Sequence, residues 1–258
     1  MIFNIDIIKI FLQGIIQRMN VNDVERNVQI SRQNISYYDK IAGNYDAILN
    51  DDGNNKIIRE IVAARFSFLV KDGWVLDFGG GTGRDLGWLI QHPYQILFCE
   101  PSVGMREIAF NRITNEFPGA MITFFDDDKS DFRNWNNIYP FERKVDAVIA
   151  NFAVINCIPD IQLLFDKLAL SIKPGGTVLA LLLDNSLMKR LRSNLKGTLK
   201  SFFTGNPISI LINYNEKQQL VFIHTTMKIR KAVKNKFDFI HMERFRQFGF
   251  CLIHLRRK

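Results

Sequence analysis

The chain has 258 residues, 47% of them hydrophobic and 23% charged, and a formal net charge of +8. That length gives one domain with room for a modest cap, and the composition is that of an ordinary globular protein without internal repeats or low-complexity tracts. Its three cysteines, Cys99, Cys157 and Cys251, are far apart and form no CxxC pair. This argues against a structural zinc site or a disulfide framework, and it fits a reducing cytoplasm; no metal is expected.

The charge is unevenly placed: Ser186 to Lys258 carries +13, and the first 185 residues carry −5. A basic C-terminal third can attract phosphates, acidic carrier proteins, nucleic acid or anionic lipid, or can simply be a solvated face. The 22 phenylalanines fit a large aromatic core or a greasy substrate cavity.

Met1 to Ile16 is rich in Ile and Phe, but Asn4, Asp6, Lys9 and Gln13 interrupt it. It is too short and broken to span a bilayer, and it lacks the basic front of a signal peptide. The expectation for residues 1–30 is a loosely attached extension, or an artefact of a start codon placed too early, since Met19 opens a more ordinary polar segment. From there, Asn34 to Leu49 reads as a helix ended by Asn50-Asp51-Asp52-Gly53, and Lys56 to Val70 as a second, amphipathic one.

Trp74 to Phe78 is a short apolar run between Gly73 and Gly79, the pattern of a buried strand. Helical segments then alternate with apolar strands: Arg84–Gln91 helix, Gln95–Cys99 strand, Val103–Glu116 helix, Met121–Phe125 strand. Val145–Ala150 is another strand, Asp160–Ile172 a helix, and Thr177–Leu183 a strand after Pro174-Gly175-Gly176. Strands apolar on both faces and separated by helices imply a doubly wound α/β fold with a mostly parallel sheet. After Asp184 the alternation stops. Ser186–Phe203 reads as a basic helix, Ile208–Tyr214 and Leu220–His224 as strands, Thr225–Asn235 as a helix, and Phe237–Glu243 and Phe250–Leu255 as strands. The expected organisation is an α/β core over residues 31–185 and a basic segment, residues 186–258, that completes the sheet and caps whatever site the core carries.

The strongest signal is Asp77-Phe78-Gly79-Gly80-Gly81-Thr82-Gly83 directly after the first strand of the core. Glycines let a strand turn sharply into a helix and bring the backbone close to a ligand. Asp77 inside such a loop would repel a pyrophosphate but suits an amino group or a sulfonium-bearing ligand. Glu100 ends the next strand, 17 residues after Gly83, where it can accept from two ribose hydroxyls.

Asp77 to Gly83 with Glu100 as its sequel resembles the first motif of class I S-adenosylmethionine-dependent methyltransferases, of the small-molecule type. The resemblance covers about Tyr37 to Asp184 and implies a seven-stranded Rossmann-like sheet, helices on both faces and an N-terminal helical lid. By the same resemblance S-adenosyl-L-methionine is the cofactor, held by Asp77, Gly79, Gly80, Gly81, Gly83 and Glu100. Pro101, Ser102 and Met105 follow, with Ser102 capping a helix and Met105 near the adenine. An acid after the third strand, Asp128 or else Asp127, accepts from the adenine amino group. Asn151 and Phe152 open the segment lining the methyl-donor pocket, in which many relatives place a histidine where this chain has Cys157. Tyr38 and Tyr45 lie in the aromatic segment Tyr37 to Asp46, similar to one that folds over the cofactor. The turn Lys173 to Gly176 is structural.

The resemblance does not fix the acceptor. In-line methyl transfer depends chiefly on alignment and exclusion of water, and it needs a base only for an acceptor of high pKa. Among His92, His224, His241 and His254, His224 is the best candidate base. The aromatic segment and the basic third suit a hydrophobic or anionic small molecule, or an acyl chain on a carrier protein. Asn151 is followed by Phe-Ala, not by the Pro-Pro of base amino-methyltransferases, and no proline precedes Cys157, so nucleic acid is disfavoured as acceptor. A non-catalytic cofactor-binding or partner-binding subunit is the remaining alternative. A dehydrogenase fingerprint would need glycine where Arg84 stands.

Overall fold

The computed structural model describes residues 16–18, 24–50, 53–184, 208–214 and 217–258. Residues 1–15 and the expected helix Ser186–Phe203 lie outside the described residues. The core sheet has seven strands in the order β4-β3-β2-β5-β6-β10-β9: β2 Gly73–Phe78, β3 Tyr94–Cys99, β4 Ile122–Phe124, β5 Val145–Ala150, β6 Ile172–Leu183, β9 Phe237–Phe245 and β10 Phe250–Arg257. Strands β2 to β6 are parallel, and β10 runs antiparallel to both of its neighbours.

Why these runs become central strands is visible in where their side chains go. Along β6, Val178, Ala180 and Leu182 join one core and Leu179 and Leu181 the other. Along β5, Val148 and Ala150 face the first core, Ala147 and Ile149 the second. A pleat sends successive side chains to opposite faces, so a strand covered on both sides must be apolar throughout. The first core is closed by α6 (Ile161–Ser171) and α7 (Thr226–Val233). The second is closed by α2 (Gly53–Leu69), the single turn α3 (Leu86–Leu89) and α4 (Val103–Glu116). A further short turn, α5 (Asp127–Ser130), follows β4.

Three elements depart from expectation. Helix α1 runs Val24–Asn50, ten residues longer at its start than the apolar pattern predicts. Its buried face is Asn27, Ile30, Asn34, Tyr37, Ile41 and Ala42; in the added first turns only Asn27 and Ile30 are buried, and a count of apolar residues passes over the asparagine. The helix expected over Arg84–Gln91 shrinks to α3, because residues 81–85 stay in turns and His92-Pro93 ends it. Strands β7 (Ile208–Tyr214) and β8 (Lys217–Ile223) do not join the main sheet. They form an antiparallel three-stranded sheet with β1 (Ile16–Arg18).

The outer edge of β8 is covered by side-chain amides. Asn34 of α1 accepts from Leu220 N (2.9 Å) and donates to Leu220 O (2.9 Å). Asn156 donates to Phe222 O (2.7 Å) and accepts from Leu183 N (2.9 Å). Backbone groups buried at a sheet edge must be paired; here two asparagines do it and fix the small sheet against both α1 and the end of β6. Among the described residues no helix is long and apolar enough to cross a membrane.

Candidate functional site

Strand order reverses between β3 and β5 on either side of β2, and a cleft opens at their carboxyl ends, as expected for a doubly wound sheet. The loop after β2 forms its floor. Gly79 N and Gly80 N both donate to Cys99 O, at 2.7 and 3.3 Å, which folds the loop back over β3. A Cβ on Gly80 would fall 2.1 Å from Phe98 Cε2 and 2.7 Å from Asp77 Oδ2, so only glycine fits there.

Asp77 lies one layer below this loop, only 1% exposed. Burial, and then the neighbouring Asp85, push its carboxyl well above the usual range, while Arg59 pulls it back. Its Oδ2 has no partner in the protein. A buried acceptor left empty is costly, and a ligand donor is the natural remedy. Glu100 sits beside it in the cleft wall: Oε2 accepts from Gly81 N (2.9 Å) and Oε1 from Ser102 N (2.8 Å). Burial pushes this carboxyl up to about 7 against the pull of those two N–H groups.

Helix α1 roofs the cleft and is latched at two acids seven residues apart. Asp39 Oδ1 accepts from Ser102 Oγ (2.7 Å) and Gly104 N (3.1 Å) at the start of α4. Asp46 accepts from Thr82 Oγ1 (2.6 Å) in the glycine loop and pairs with Arg112. Tyr38 and Tyr45, one position before each acid, line the cleft with their rings 5.9 Å apart, edge to face.

On the opposite wall, Phe152 and Ala153 follow β5 with φ of +50° and +65°. Two consecutive residues with side chains in the left-handed region store roughly 1–3 kcal/mol each. The turn places the Phe152 ring under Arg59, 4.3 Å from its guanidinium carbon, and brings Val154 against Gly79. Arg59 Nη1 pairs with Asp85 (2.5 Å), whose other oxygen accepts from Asn151 Nδ2 (3.0 Å). This chain of contacts joins α2, α3 and the end of β5 around the cleft.

Of the residues singled out from the sequence, Tyr38, Tyr45, Gly79, Gly80, Gly81, Glu100, Pro101, Met105, Asn151 and Phe152 line the cleft. Asp77, Gly83 and Ser102 support it from behind: Ser102 caps α4 through Met105 N (3.2 Å), and a Cβ at Gly83 would meet that of Ala109 at 2.8 Å. Asp127 and Asp128 are not brought to the cleft. Asp127 pairs with Arg106, and Asp128 accepts from Asn134 Nδ2 (2.8 Å) and Tyr139 Oη (2.5 Å). The short α5 turns both outward, and Ser130, Asp131, Phe132 and Arg133 line the cleft in their place. His224 also stays away. It is buried under the Val154–Cys157 turn with Nε2 3.0 Å from Ile158 O, and burial lowers it to about 3. An imidazole held neutral and packed on Phe222 (6.3 Å between ring centres) is a structural element here.

Sequence reasoning missed Arg59, Asp85, Asp131 and Arg133, none of which belongs to a motif. Asp39, Asp46 and Thr82 lay inside the quoted segments without being chosen.

A family model described as a methyltransferase domain matches residues 51–247. A comparison with curated protein sequences finds no match. Among solved structures, the chain is similar to Burkholderia thailandensis 1,6-didemethyltoxoflavin-N1-methyltransferase with bound 1,6-didemethyltoxoflavin and S-adenosylhomocysteine. The TM-score is 0.66 at 12% identity, covering 96% of each chain. It is also similar to DhpI in complex with S-adenosylhomocysteine (TM-score 0.63, 14% identity, 88% of this chain and 97% of that one). The N-methyltransferase NodS from Bradyrhizobium japonicum WM9, in complex with S-adenosylhomocysteine, gives a TM-score of 0.60 at 11% identity, covering 87% and 98%. The glycine loop over a buried, unpartnered Asp77, the paired Glu100 and the family match agree: this chain belongs to the methyltransferase-domain family and is a class I S-adenosylmethionine-dependent methyltransferase.

Proposed function

We propose that the acceptor is a small molecule with an apolar body and an anionic or hydrogen-bond-accepting group, methylated beneath α1. The observation that carries this reading is the roof. The cleft runs from the glycine loop past Tyr45 and Tyr38 to Ile35, Asn34 and Ser31 on α1, facing Cys157 and Ile158. A polymer would have to thread one unit beneath a helix latched at Asp39 and Asp46.

Bound S-adenosylmethionine supplies a methyl group on a positively charged sulfur, open to displacement by a nucleophile. The chain's own residues do the rest. Glu100 in the cleft wall offers its free lone pairs to hydroxyls, and Asp77 holds its unfilled Oδ2 just behind the glycine loop. Pro101, Met105 and Phe132 give apolar walls, and Tyr38 and Tyr45 keep water out. Arg133 lines the same cleft, and its Nη1 is buried without a protein partner. The Arg133 charge is already paired with Asp131, so the remaining N–H calls for an oxygen acceptor on the ligand. The similar protein whose name states N1-methylation of 1,6-didemethyltoxoflavin supports a small acceptor.

The test is transfer of labelled methyl from S-adenosylmethionine to a panel of phenols, carboxylates, heteroaromatic amines and acyl-carrier thioesters, with bulk tRNA beside them. Turnover on a panel member supports the reading. Label in tRNA with none in the panel overturns it.

A further inference from the structure

At the end of the cleft away from the glycine loop, three polar side chains from distant parts of the chain meet. Tyr38 comes from α1, Cys157 from the turn after β5, and Gln219 from β8 of the small sheet. Gln219 Nε2 lies 2.7 Å from Tyr38 Oη and 3.2 Å from Cys157 Sγ, and Tyr38 Oη lies 3.4 Å from Cys157 Sγ. Tyr38 and Cys157 line the cleft, while Gln219 is 5% exposed behind them.

The donor count gives this cluster a direction. A side-chain amide nitrogen only donates, so Gln219 fills acceptor sites on both the tyrosine oxygen and the cysteine sulfur. Cys157 passes its own proton toward Ala153 O, 3.7 Å away. Tyr38 therefore keeps a proton to give, and inside the protein its sole outlet in this cluster is a thiol sulfur at 3.4 Å, a weak acceptor. An oxygen arriving in the cleft makes a far better partner, more so if it is anionic. Both groups hold their protons: burial pushes the Tyr38 hydroxyl well up and the Cys157 thiol to about 11.

Resting on the small-acceptor reading above, we infer that Tyr38 is the hydrogen-bond donor that receives an oxygen of the acceptor, a carbonyl, carboxylate or phenolate, and that Gln219 is the positioning residue that aims it. Gln219 acts through Tyr38. Its place is set by Asn34, which pins the next residue of β8, Leu220, to the same helix that carries Tyr38. Donor helix and small sheet are thereby held in one register, and the direction of the tyrosine proton follows.

The experiment titrates the protein, saturated with S-adenosylhomocysteine, with 4-nitrophenol and with nitrobenzene by calorimetry. The readout is the ratio of the two affinities, from which changes in cofactor affinity or in folded fraction drop out. The native chain is expected to prefer the phenol at least about tenfold, or about 1.4 kcal/mol. Tyr38→Phe should bring the ratio below about threefold. Gln219→Glu keeps size and shape but replaces the donor by an acceptor that takes the tyrosine proton, so it should do the same with Tyr38 in place. Gln219→Leu, which leaves the hydroxyl unaimed, should fall between. A native chain without preference, or one that takes up neither compound, overturns the inference. So does a preference that survives both Tyr38→Phe and Gln219→Glu. Turnover on the acceptor panel alongside any of those results would show that this inference fails alone, with the small-acceptor reading intact.

Discussion

Glu100 lets the cofactor site be tested with protons alone. Without ligand, burial holds its carboxyl at about 7 although two backbone N–H groups favour the charge. Ribose hydroxyls would add donors to the ionised form, so binding should pull the proton off. If the ionised form alone binds well, affinity follows its fraction, about one half at pH 7 and about 3% at pH 5.5. Lowering the pH across that range should therefore weaken S-adenosylhomocysteine about 15-fold, close to 1.6 kcal/mol. About 0.9 proton should be released per ligand near pH 6, measurable by calorimetry in two buffers of different ionisation enthalpy. The sign is fixed: the raised carboxyl disfavours the charged form in the free protein, so affinity must rise with pH and level off above 7. Glu100→Gln should flatten the Glu100 part of the slope, and any remainder belongs to Asp77, also raised by burial. Affinity constant within threefold across the range, or proton uptake on binding, would refute the reasoning.

Asn156→Ala leaves Phe222 O, fully buried, and Leu183 N, partly buried, without partners; urea unfolding should show a loss of about 2–4 kcal/mol, and a loss under about 1 would mean water replaces the amide. Gly80→Ala puts a methyl 2.1 Å from the Phe98 ring and should abolish S-adenosylhomocysteine binding. Gly81→Ala meets nothing within 4 Å and suffers only backbone strain at φ +59°, so it should cost roughly 1 kcal/mol in a thermal-melt comparison. Asp46→Ala frees α1 from Thr82 and Arg112; surface plasmon resonance should show S-adenosylhomocysteine leaving about tenfold faster with the on-rate little changed.

What could be read from the sequence is what local rules determine. Strands β2, β5 and β6 announce themselves because both faces are covered and nearly every central residue is apolar, with Asp77 of β2 standing out against that pattern. The glycine loop is legible because close backbone approach leaves no other choice at Gly80. Glu100 is legible by its spacing from that loop. After β4, three consecutive aspartates offer no local reason to choose among them; which side chain faces the cleft depends on where α5 turns, and it turns Asp127 and Asp128 toward Arg106, Asn134 and Tyr139. Position in a cap-like region drew attention to His224, but exposure to the cleft is a tertiary property, and the imidazole lies under Ile158 instead. Arg59 and Gln219 carry no motif at all. Each matters through partners 26 to 181 residues away, which no window along the chain contains.

Helix α1 joins the two halves of the chemistry. Its Asp39 and Asp46 hold the start of α4 and the glycine loop on the cofactor side. Its Asn34 and Tyr38 hold β8, Cys157 and Gln219 on the acceptor side. From Asn34 to Asp46 the helix rises about 18 Å at 1.5 Å per residue, enough to span a cofactor and a small acceptor laid end to end. A rigid rod latched at both ends cannot lift from one site without disturbing the other. Asn34, at the start of the stretch that reads as helix, follows from the same requirement, because a roof that also pins a sheet edge needs an amide where packing alone would take leucine.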